Sequence, residues 1–307
     1  MSARGRVLVT GGAGFIGSHA CEALLAAGHA VRILDDFSSG NAANIASAWR
    51  DLEVHEGSVT APHAVARATA GCSAIVHLAA LTSVAESIDT PERYRETNIE
   101  GTRLVCDAAR RAGVARVVFA ASSSAYGDHA APQHEDLEPR PLSPYAETKV
   151  AGERLVAELA AAGHCDAVAL RFFNVYGPRQ DPNSAYAGVI ARFLGRMRSG
   201  LPVTVFGDGL QTRDFVAVRD VARAIACAVG CDSALRGTAI NIGTGHGTSI
   251  VALAALVGRL LHHTPRVEHA PARTGEVRDS VASIDRAASL LGFRAETRLD
   301  DGLRTML

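Results

Sequence analysis

Short, fully apolar runs alternate with segments of helical periodicity over the first half of the chain. Segments 17–28 and 99–113 have apolar residues at the spacing of a helix that buries one face. Strands that are apolar along their whole length are typical of a parallel sheet covered by helices on both faces. The runs predicted to be strands are 6–10, 30–34, 52–56, 73–79, 115–122 and 166–173.

The alternation of strands and helices predicts an α/β fold built on a doubly wound parallel sheet of the Rossmann type. After about residue 175 the loops become longer and the strands shorter. This change predicts a smaller C-terminal substrate-binding lobe. We therefore expect a nucleotide-binding domain over 1–175 and a mainly substrate-binding lobe over 176–307, with some strands and helices exchanged between them.

Charge and composition argue against several kinds of partner. The 307 residues include 31 Lys and Arg against 32 Asp and Glu, so the net charge of -1 gives no reason to expect nucleic acid. No apolar run approaches the ~20 residues of a membrane span, and the chain starts directly with a strand-like run rather than a signal peptide. The six cysteines form no C-x-x-C pair. Reduced thiols, no metal site and a cytoplasmic location are predicted.

The segment "VLVTGGAGFIGSH" places Gly11, Gly14 and Gly17 between a predicted strand and a predicted helix. Glycines at this point allow a tight turn and let the backbone approach a pyrophosphate at the helix N-terminus. The motif alone could be an ordinary glycine-rich turn. However, Asp35 ends the next predicted strand, where a carboxylate can bind both ribose hydroxyls and would repel a 2′-phosphate. The combination predicts a dinucleotide site that prefers NAD to NADP.

A second pattern is the pair Tyr145 and Lys149 in "SPYAETK". Ser143 suits a helix N-cap and Pro144 the first helical position, so the two side chains lie one turn apart on the same face. A nearby ammonium favours the phenolate and lowers the pKa of a tyrosine. In isolation the pair could equally be a surface tyrosine beside a solvated lysine. The hydroxyl cluster of "SSSAYG" and the polar Asn174 follow other predicted strands at their C-terminal ends, where such sheets bind ligands.

The motifs as a set resemble the extended short-chain dehydrogenase/reductases, and among them the UDP-galactose 4-epimerases and related UDP-sugar 4-epimerases. The resemblance runs from "TGGAGFIGSH" through "SSSAYG", "SPYAETK", "RFFNVYGPRQDPNS" and "FGDGLQTRDF" to "RTGEVRDS". It implies that Tyr145 is the acid/base, that Lys149 holds the nicotinamide ribose, and that Ser122 lies in the proton path. The implied reaction oxidises the sugar at carbon 4, turns the 4-keto sugar over, and reduces its other face with tightly held NAD.

The resemblance also implies the binding residues. Ser58 stands where relatives usually have an Asp near the adenine, so a weaker contact is expected there, with Val59 still packing. The residues expected to bind NAD are Gly11, Gly14, Phe15, Ile16, Gly17, Asp35, Asp36, Ser39, Gly40, Ser58, Val59, Leu78, Ala79, Ala80, Tyr145 and Lys149. Those expected to bind the UDP-sugar are Thr82, Ser122, Ser123, Tyr145, Asn174, Val189, Arg192, Thr204, Phe206, Arg213, Arg273, Glu276 and Ser280.

Some features separate this chain from related enzymes or leave alternatives open. Sugar-nucleotide 4,6-dehydratases have Glu, commonly preceded by Asp, where this chain has Ser124 and Ser123, and hydroxyls do not readily replace those carboxyl groups. A dehydratase or oxidoreductase, and a non-catalytic NAD-binding regulator, remain the alternatives. Ser280 predicts a roomy sugar pocket, and Arg192 could face a uronic acid carboxylate or solvent. His77 is interpreted as a packed strand histidine. The family resemblance implies a homodimer.

Overall fold

The computed structural model describes residues 4–180, 188–272 and 277–307. Strands and helices alternate along most of this length, as predicted. The strands are β1 Arg4–Thr10, β2 His29–Asp35, β3 Leu52–Glu56, β4 Ala74–His77, β5 Arg116–Ser122, β6 Asp166–Phe172, β7 Asn174–Tyr176, β8 Val203–Phe206, β9 Thr212–Ala217, β10 Thr238–Ile242, β11 Gly247–Ser249, β12 Val267–Ala270 and β13 Asp279–Ser280.

The helices connect these strands and cover the sheet. Three short segments are 3₁₀ or π-helical: Ala42–Asp51, Arg95–Glu100 and Ser123–Tyr126. The α-helices are α1 Phe15–Ala26, α2 Pro62–Thr69, α3 Val84–Asp89, α4 Pro91–Tyr94, α5 Gly101–Ala112, α6 Pro144–Ala161, α7 Val189–Arg198, α8 Val218–Gly230, α9 Ile250–Leu260, α10 Asp285–Leu291 and α11 Leu299–Arg304.

The large sheet has seven strands in the order β10-β6-β5-β4-β1-β2-β3, and every neighbouring pair is parallel. The order reverses at β1, next to β4, which is where open sheets of this type bind ligands beyond the carboxyl ends of their strands. All six strands predicted from the apolar runs are present, although β4 is shorter than its run. The predicted α/β class with a parallel, doubly wound sheet is confirmed.

Alternate side chains of the strands pack into separate cores on the two faces of the sheet. Val7 and Val9 of β1 pack with apolar residues of α1 and α8. Leu8, between them, packs with residues of α2, α5 and α6 on the other face. Because both faces are covered, a strand must be apolar at every position, which is the pattern seen in the sequence.

The C-terminal part builds its own smaller core but also contributes to the large sheet. Helices α7 and α9 pack on β8, which pairs with β12, and share this core with residues of β9. Strand β9 pairs with β7, β11 and β13 in a second small sheet. Strand β10 instead extends the large sheet beside β6. The division into two lobes near residue 175, with some strands and helices exchanged between them, stays a prediction.

No helix in the described ranges is both long enough and apolar enough to cross a membrane.

Candidate active site

The glycine loop between β1 and α1 forms the first wall of the site. Gly11 has a φ of +69°, and a Cβ there would lie 2.8 Å from the backbone nitrogen of Ala79, so glycine is needed for both the turn and the close approach. Helix α1 begins at Phe15, and Gly14 at its N-cap offers no side chain to bind the first N–H groups. These N–H groups remain available to an anion, and a pyrophosphate suits this position.

Asp35 lies at the carboxyl end of β2, and both of its oxygens are held in place. Oδ2 accepts a hydrogen bond from the N–H of Ala13 at 2.8 Å, and Oδ1 accepts one from the N–H of Phe37 at 2.9 Å. Burial raises the pKa of Asp35, and these two hydrogen bonds lower it. Each carboxylate oxygen has a second lone pair, so the fixed group can still accept hydrogen bonds from ribose hydroxyls at the cavity wall. The glycine loop and Asp35 together fit NAD.

Helix α6 positions Tyr145 and Lys149. It begins at Pro144, and the Ser143 hydroxyl caps it by accepting a hydrogen bond from the N–H of Ala146 at 3.2 Å. Lys149 Nζ donates to the carbonyl of Ala120 on β5 at 2.8 Å and lies 6.0 Å from the centroid of the Tyr145 ring.

The lysine is buried rather than solvated, because only 4% of Lys149 is exposed. Burial lowers its pKa to about 8, against the charge of Glu153, which raises it. Burial also raises the pKa of Tyr145, whereas a hydrogen bond to Ser122 lowers it. A solvated surface pair is therefore excluded, and the two side chains share one enclosed site.

The hydroxyls at the end of β5 have a defined direction. The hydroxyl of Ser124 donates to Ser122 Oγ at 2.9 Å, and the N–H of Ser124 donates to the same oxygen at 3.2 Å. Ser122 Oγ thus accepts twice, and its single proton is left to donate to Tyr145, the partner whose pKa it lowers. A donor at this place favours the phenolate form of Tyr145.

These groups line one cavity of about 560 Å³ at the carboxyl ends of the central strands. Of the residues predicted to bind NAD, all except Ser58 line it. The predicted sugar-binding residues Thr82, Ser122, Tyr145 and Asn174 also line it. At Ser58, the residues Gly57 and Val59 form this part of the wall, while the Ser58 hydroxyl lies 3.0 Å from that of Thr60, and the weaker adenine contact expected there stays a prediction. The segment turns the Ser58 side chain into a local contact with its own loop.

The other predicted sugar-binding residues that the structure describes do not line this cavity. On β8, Thr204 and Phe206 alternate with the buried Val203 and Val205, so they lie on the face away from the small core. Ser123 is half-buried in the turn after β5, and Val189 and Arg192 lie in the first turn of α7, where Arg192 is exposed.

Two strands of the small sheet bring another predicted pair together. Arg213 on β9 is directly opposite Ser280 on β13, and its Nη1 donates to the carbonyl of Thr212 at 2.7 Å. Arg273 and Glu276 lie outside the described residues. The sugar-binding roles of these residues stay predictions.

Several cavity residues were not predicted from the sequence. Gln180 follows β7 and lines the cavity, and its buried Oε1 has no hydrogen-bond partner among the described residues. Its neighbour Arg179 has a φ of +69° and pairs with Glu22 of α1 at 2.5 Å. The consecutive polar residues Arg179 and Gln180 in "YGPRQDP" are the sequence feature that could have indicated this part of the cavity. The remaining unpredicted lining residues are Leu34, Ser38, Gly57, Leu81, Thr97, Ala120, Ala121, Phe172, Phe173 and Val175.

A family model described as the NAD dependent epimerase/dehydratase family matches residues 7–243. The chain belongs to this family. It is 40% identical over 303 residues to a UDP-glucose 4-epimerase of Mycolicibacterium smegmatis, which covers 97% of this chain and 96% of that protein. The predicted family and the predicted use of NAD are thereby confirmed.

Solved structures agree with this assignment. A UDP-glucose 4-epimerase from Thermotoga maritima, solved with UDP-glucose, matches with a TM-score of 0.92 at 35% identity over 98% of this chain and 96% of that one. MoeE5, solved with UDP-glucuronic acid and NAD, matches with a TM-score of 0.88 at 38% identity over 98% of this chain and 97% of that one. The similarity therefore extends over nearly the whole chain.

Proposed function

We propose that this protein is an NAD-dependent UDP-hexose 4-epimerase. The observation that carries the proposal is the enclosed arrangement of Tyr145, Lys149 and Ser122, in a chain whose relatives include UDP-sugar 4-epimerases. When bound, NAD supplies the hydride acceptor for carbon 4 of the sugar and then the hydride donor.

Tyr145 moves the proton in this reaction. Its phenolate accepts the proton of the carbon-4 hydroxyl, and its phenol returns that proton after the 4-keto sugar has presented its other face. Without ligands, burial raises the pKa of Tyr145, so the protonated phenol is favoured in that state. The ammonium of Lys149, held beside Tyr145, favours the phenolate. The Ser122 hydroxyl stabilises the same form by donating a hydrogen bond.

The acidic groups of the cavity argue against a dehydratase. Among the described residues that line it, the carboxylates are Asp35 and Asp36, which lie at and just after the end of β2. Beside Tyr145 the cavity is lined by Ser122, at the end of β5, and by Lys149, neither of which is a carboxylic acid. Removal of water across carbons 5 and 6 needs an acid and a base beside the sugar. The site supports proton transfer by Tyr145 but supplies no such pair from the residues described.

The proposal is tested by product analysis on the purified protein. It is incubated with UDP-galactose alone, and the nucleotide sugars are separated and assigned by NMR, while a denatured sample is assayed for released NAD. We expect UDP-glucose to form without added cofactor. A 4-keto-6-deoxy product would identify a dehydratase, and accumulation of an oxidised sugar with consumption of added NAD would identify an oxidoreductase. No turnover of any UDP-hexose by protein that retains NAD would support the regulatory alternative.

We also infer that two copies associate through α5 and α6. Leu104 on α5 and Leu155 on α6 are only partly buried although these helices pack on each other. Two such helices from each copy would form a four-helix interface, as the family resemblance implies. Sedimentation equilibrium should give a dimer mass, and Leu104→Glu should shift it toward the monomer. A monomer at all concentrations of the unmodified protein would reject this assembly.

A cytoplasmic location is part of the proposal. All six cysteines are free, and four of them are buried, which suits a reducing compartment. Fractionation of cells that express the chain should recover it with cytoplasmic markers.

A further inference from the structure

His77 is a buried histidine beneath the active site. It is the last residue of β4 and 2% exposed, and the segment that follows it, 78–82, forms one wall of the cavity. Its Nδ1 lies 2.7 Å from Thr10 Oγ1 on β1, and its Nε2 lies 3.0 Å from Thr102 Oγ1 on α5. The imidazole therefore bridges the strand that leads into the glycine loop and a helix on one face of the sheet.

The hydrogen bonds around His77 assign its tautomer. Thr102 Oγ1 donates its single proton to the carbonyl of Asn98 at 2.6 Å, because a carbonyl can only accept. Thr102 Oγ1 must then accept from His77, so the proton of the imidazole is on Nε2. Nδ1 carries a lone pair and accepts from the hydroxyl of Thr10, whose oxygen in turn accepts from the N–H of Ala79 at 3.2 Å.

A second proton on the imidazole would have no acceptor in this series of hydrogen bonds. It would sit on Nδ1 and displace the hydroxyl proton of Thr10 from its acceptor. Burial, and then the charge of Lys149, lower the pKa of His77 to about 3. The Phe119 ring contacts both groups, with its centroid 5.8 Å from that of the imidazole and 5.2 Å from Lys149 Nζ. A neutral imidazole also adds no positive charge to a site that must accept a cationic nicotinamide.

The same chain of contacts continues to Tyr145. Asn98 Oδ1 accepts from the N–H of Leu81 at 2.8 Å, and its Nδ2 donates to the carbonyl of Leu81 at 2.9 Å and to Thr148 Oγ1 at 3.0 Å. Thr148 Oγ1 donates to the carbonyl of Tyr145 at 2.8 Å. The wall segment 78–82 and the helix that carries Tyr145 are thus tied to one another through Asn98.

We propose that His77 is a positioning residue. Its neutral, Nε2-protonated imidazole joins the Thr10–Ala79 contact to the Thr102–Asn98 contact. This bridge fixes the 78–82 wall of the cavity relative to Tyr145. The effect that this role is expected to have on turnover rests on the proposed function. The wall and Tyr145 must hold the reacting carbon between them, and misplacement by about 1 Å can cost ~100-fold in rate.

The tautomer is tested on the whole protein by ¹⁵N NMR of labelled histidine. The His77 signals are assigned by their absence in His77→Phe. We expect a protonated Nε2 and an unprotonated Nδ1, unchanged from about pH 5.5 to about pH 9, whereas an unperturbed histidine titrates near 6.5. Titration of His77 in that range, or a protonated Nδ1, would overturn the assignment.

The positioning role is tested by amide hydrogen exchange and kinetics. His77→Phe keeps a ring but loses both hydrogen bonds, and should speed exchange at Ala79 and Leu81 by at least ~10-fold without affecting Val118 in β5. His77→Asn places an acceptor close to the position of Nδ1, and should restore protection of Ala79 but not of Leu81. Turnover should fall at least ~10-fold in His77→Phe while UDP binding is unchanged.

A matched change addresses the possibility that His77→Phe does not fold. Thr102→Val keeps the imidazole and removes only the hydroxyl. It should speed amide hydrogen exchange at Leu81 while the amide of Ala79 stays protected. His263→Phe, at an exposed position, is the control and should change neither measurement. Unchanged exchange at Ala79 and Leu81 in folded His77→Phe and Thr102→Val would reject the positioning role. If the unmodified protein fails to epimerise any UDP-hexose, the proposed function fails, while the NMR and exchange results still decide the role of His77.

Discussion

Glu153 lies one helical turn beyond Lys149 on α6 and binds Arg171 of β6 through both carboxylate oxygens, at 2.8 Å from Nε and 2.7 Å from Nη2. The guanidinium of Arg171 also stacks 4.7 Å from the centroid of the Tyr126 ring, in the turn that follows Ser122. The pair therefore links helix α6, which carries Tyr145, to the turn that directly follows Ser122. Both side chains are at most 10% exposed.

The first prediction concerns this ion pair. Glu153→Gln leaves the Arg171 guanidinium buried without its anion, and should lower the free energy of unfolding by about 3–5 kcal/mol. Because the charge of Glu153 raises the pKa of Lys149, the variant should lower that pKa further. Denaturant unfolding measures the first effect. The control is Glu92→Gln, which removes the exposed pair with Arg95 and should cost about 0–1 kcal/mol. Equal losses in the two variants would contradict the buried-pair argument.

The acid/base role gives a second prediction. Tyr145→Phe keeps the ring but removes the oxygen that carries the proton, and should reduce turnover at least ~100-fold. UDP binding, measured by calorimetry, should be nearly unchanged. Ser122→Ala removes only the hydroxyl that donates to Tyr145, and should reduce turnover less while shifting the pH profile to higher pH, because the phenolate loses a stabilising donor. An epimerase rate close to normal in Tyr145→Phe would remove Tyr145 from the mechanism.

Asp35 gives a third prediction, on cofactor choice. Its carboxylate is held by the N–H groups of Ala13 and Phe37, so a 2′-phosphate would meet a fixed negative charge. Protein denatured after purification should release NAD and no NADP, and Asp35→Ala should bind NAD more weakly. Asp36→Ala is a useful comparison, since Asp36 lines the same wall but accepts from Ser38 in its own exposed turn. Recovery of NADP from the unmodified protein would contradict the assignment of Asp35.

The buried ammonium gives a fourth prediction, on stability and pH. The pKa of Lys149 falls from 10.5 to about 8 in the folded protein. Between these values the unfolded chain binds more protons, so the contribution of Lys149 to stability rises with pH through this window and is lowest below about 8. Lys149→Met removes the buried charge. The free energy of unfolding of the variant should exceed that of the unmodified protein most near neutral pH, and this difference should shrink as pH rises from about 8 to 10.5. Epimerase activity should be lost in the variant. A constant difference across the window would contradict the shift.

The sequence sufficed for the parts of the site that are contiguous in the chain. The glycine loop, Asp35 and the Tyr145–Lys149 pair each depend on local geometry: a turn, a strand end and one helical turn. The position of the Ser58 side chain is harder to predict, because the direction of one side chain in a loop is not encoded by the strand pattern before it. Its neighbours Gly57 and Val59 reach the cavity instead.

The bridge through His77 could not be predicted in this way. Thr10, His77, Asn98 and Thr102 come from separated segments, and only the parallel order of β1 and β4 with α5 behind them brings the four together. In the sequence, each residue is an ordinary polar position in or beside a strand or in a helix. Their shared function exists only in the folded protein, whereas a phosphate-binding turn is visible in a few consecutive letters.

The last prediction concerns the size of the sugar. Ser280 is 9% exposed and lies opposite Arg213 in the pairing of β13 with β9. If its side chain borders the sugar, a tyrosine there would fill space that a carbon-2 N-acetyl group needs. Ser280→Tyr should therefore reduce turnover of UDP-N-acetylglucosamine far more than that of UDP-glucose, with both measured in parallel. The matched control is Ser289→Tyr on the exposed side of α10, which should affect neither substrate.

A carboxylate at carbon 6 is tested in the same assay with UDP-glucuronic acid and Arg192→Ala. A charged hydrogen bond contributes roughly 1.5–3 kcal/mol, so a pairing of Arg192 with the carboxylate requires a loss of about 10-fold or more for UDP-glucuronic acid and little change for UDP-glucose. Equal effects on both sugars would leave the exposed Arg192 of α7 without a role in sugar choice. If the unmodified protein turns over only UDP-glucose and UDP-galactose, and Ser280→Tyr changes nothing, the roomy pocket is rejected too, because neither the extra group nor the added ring then meets the wall at Ser280.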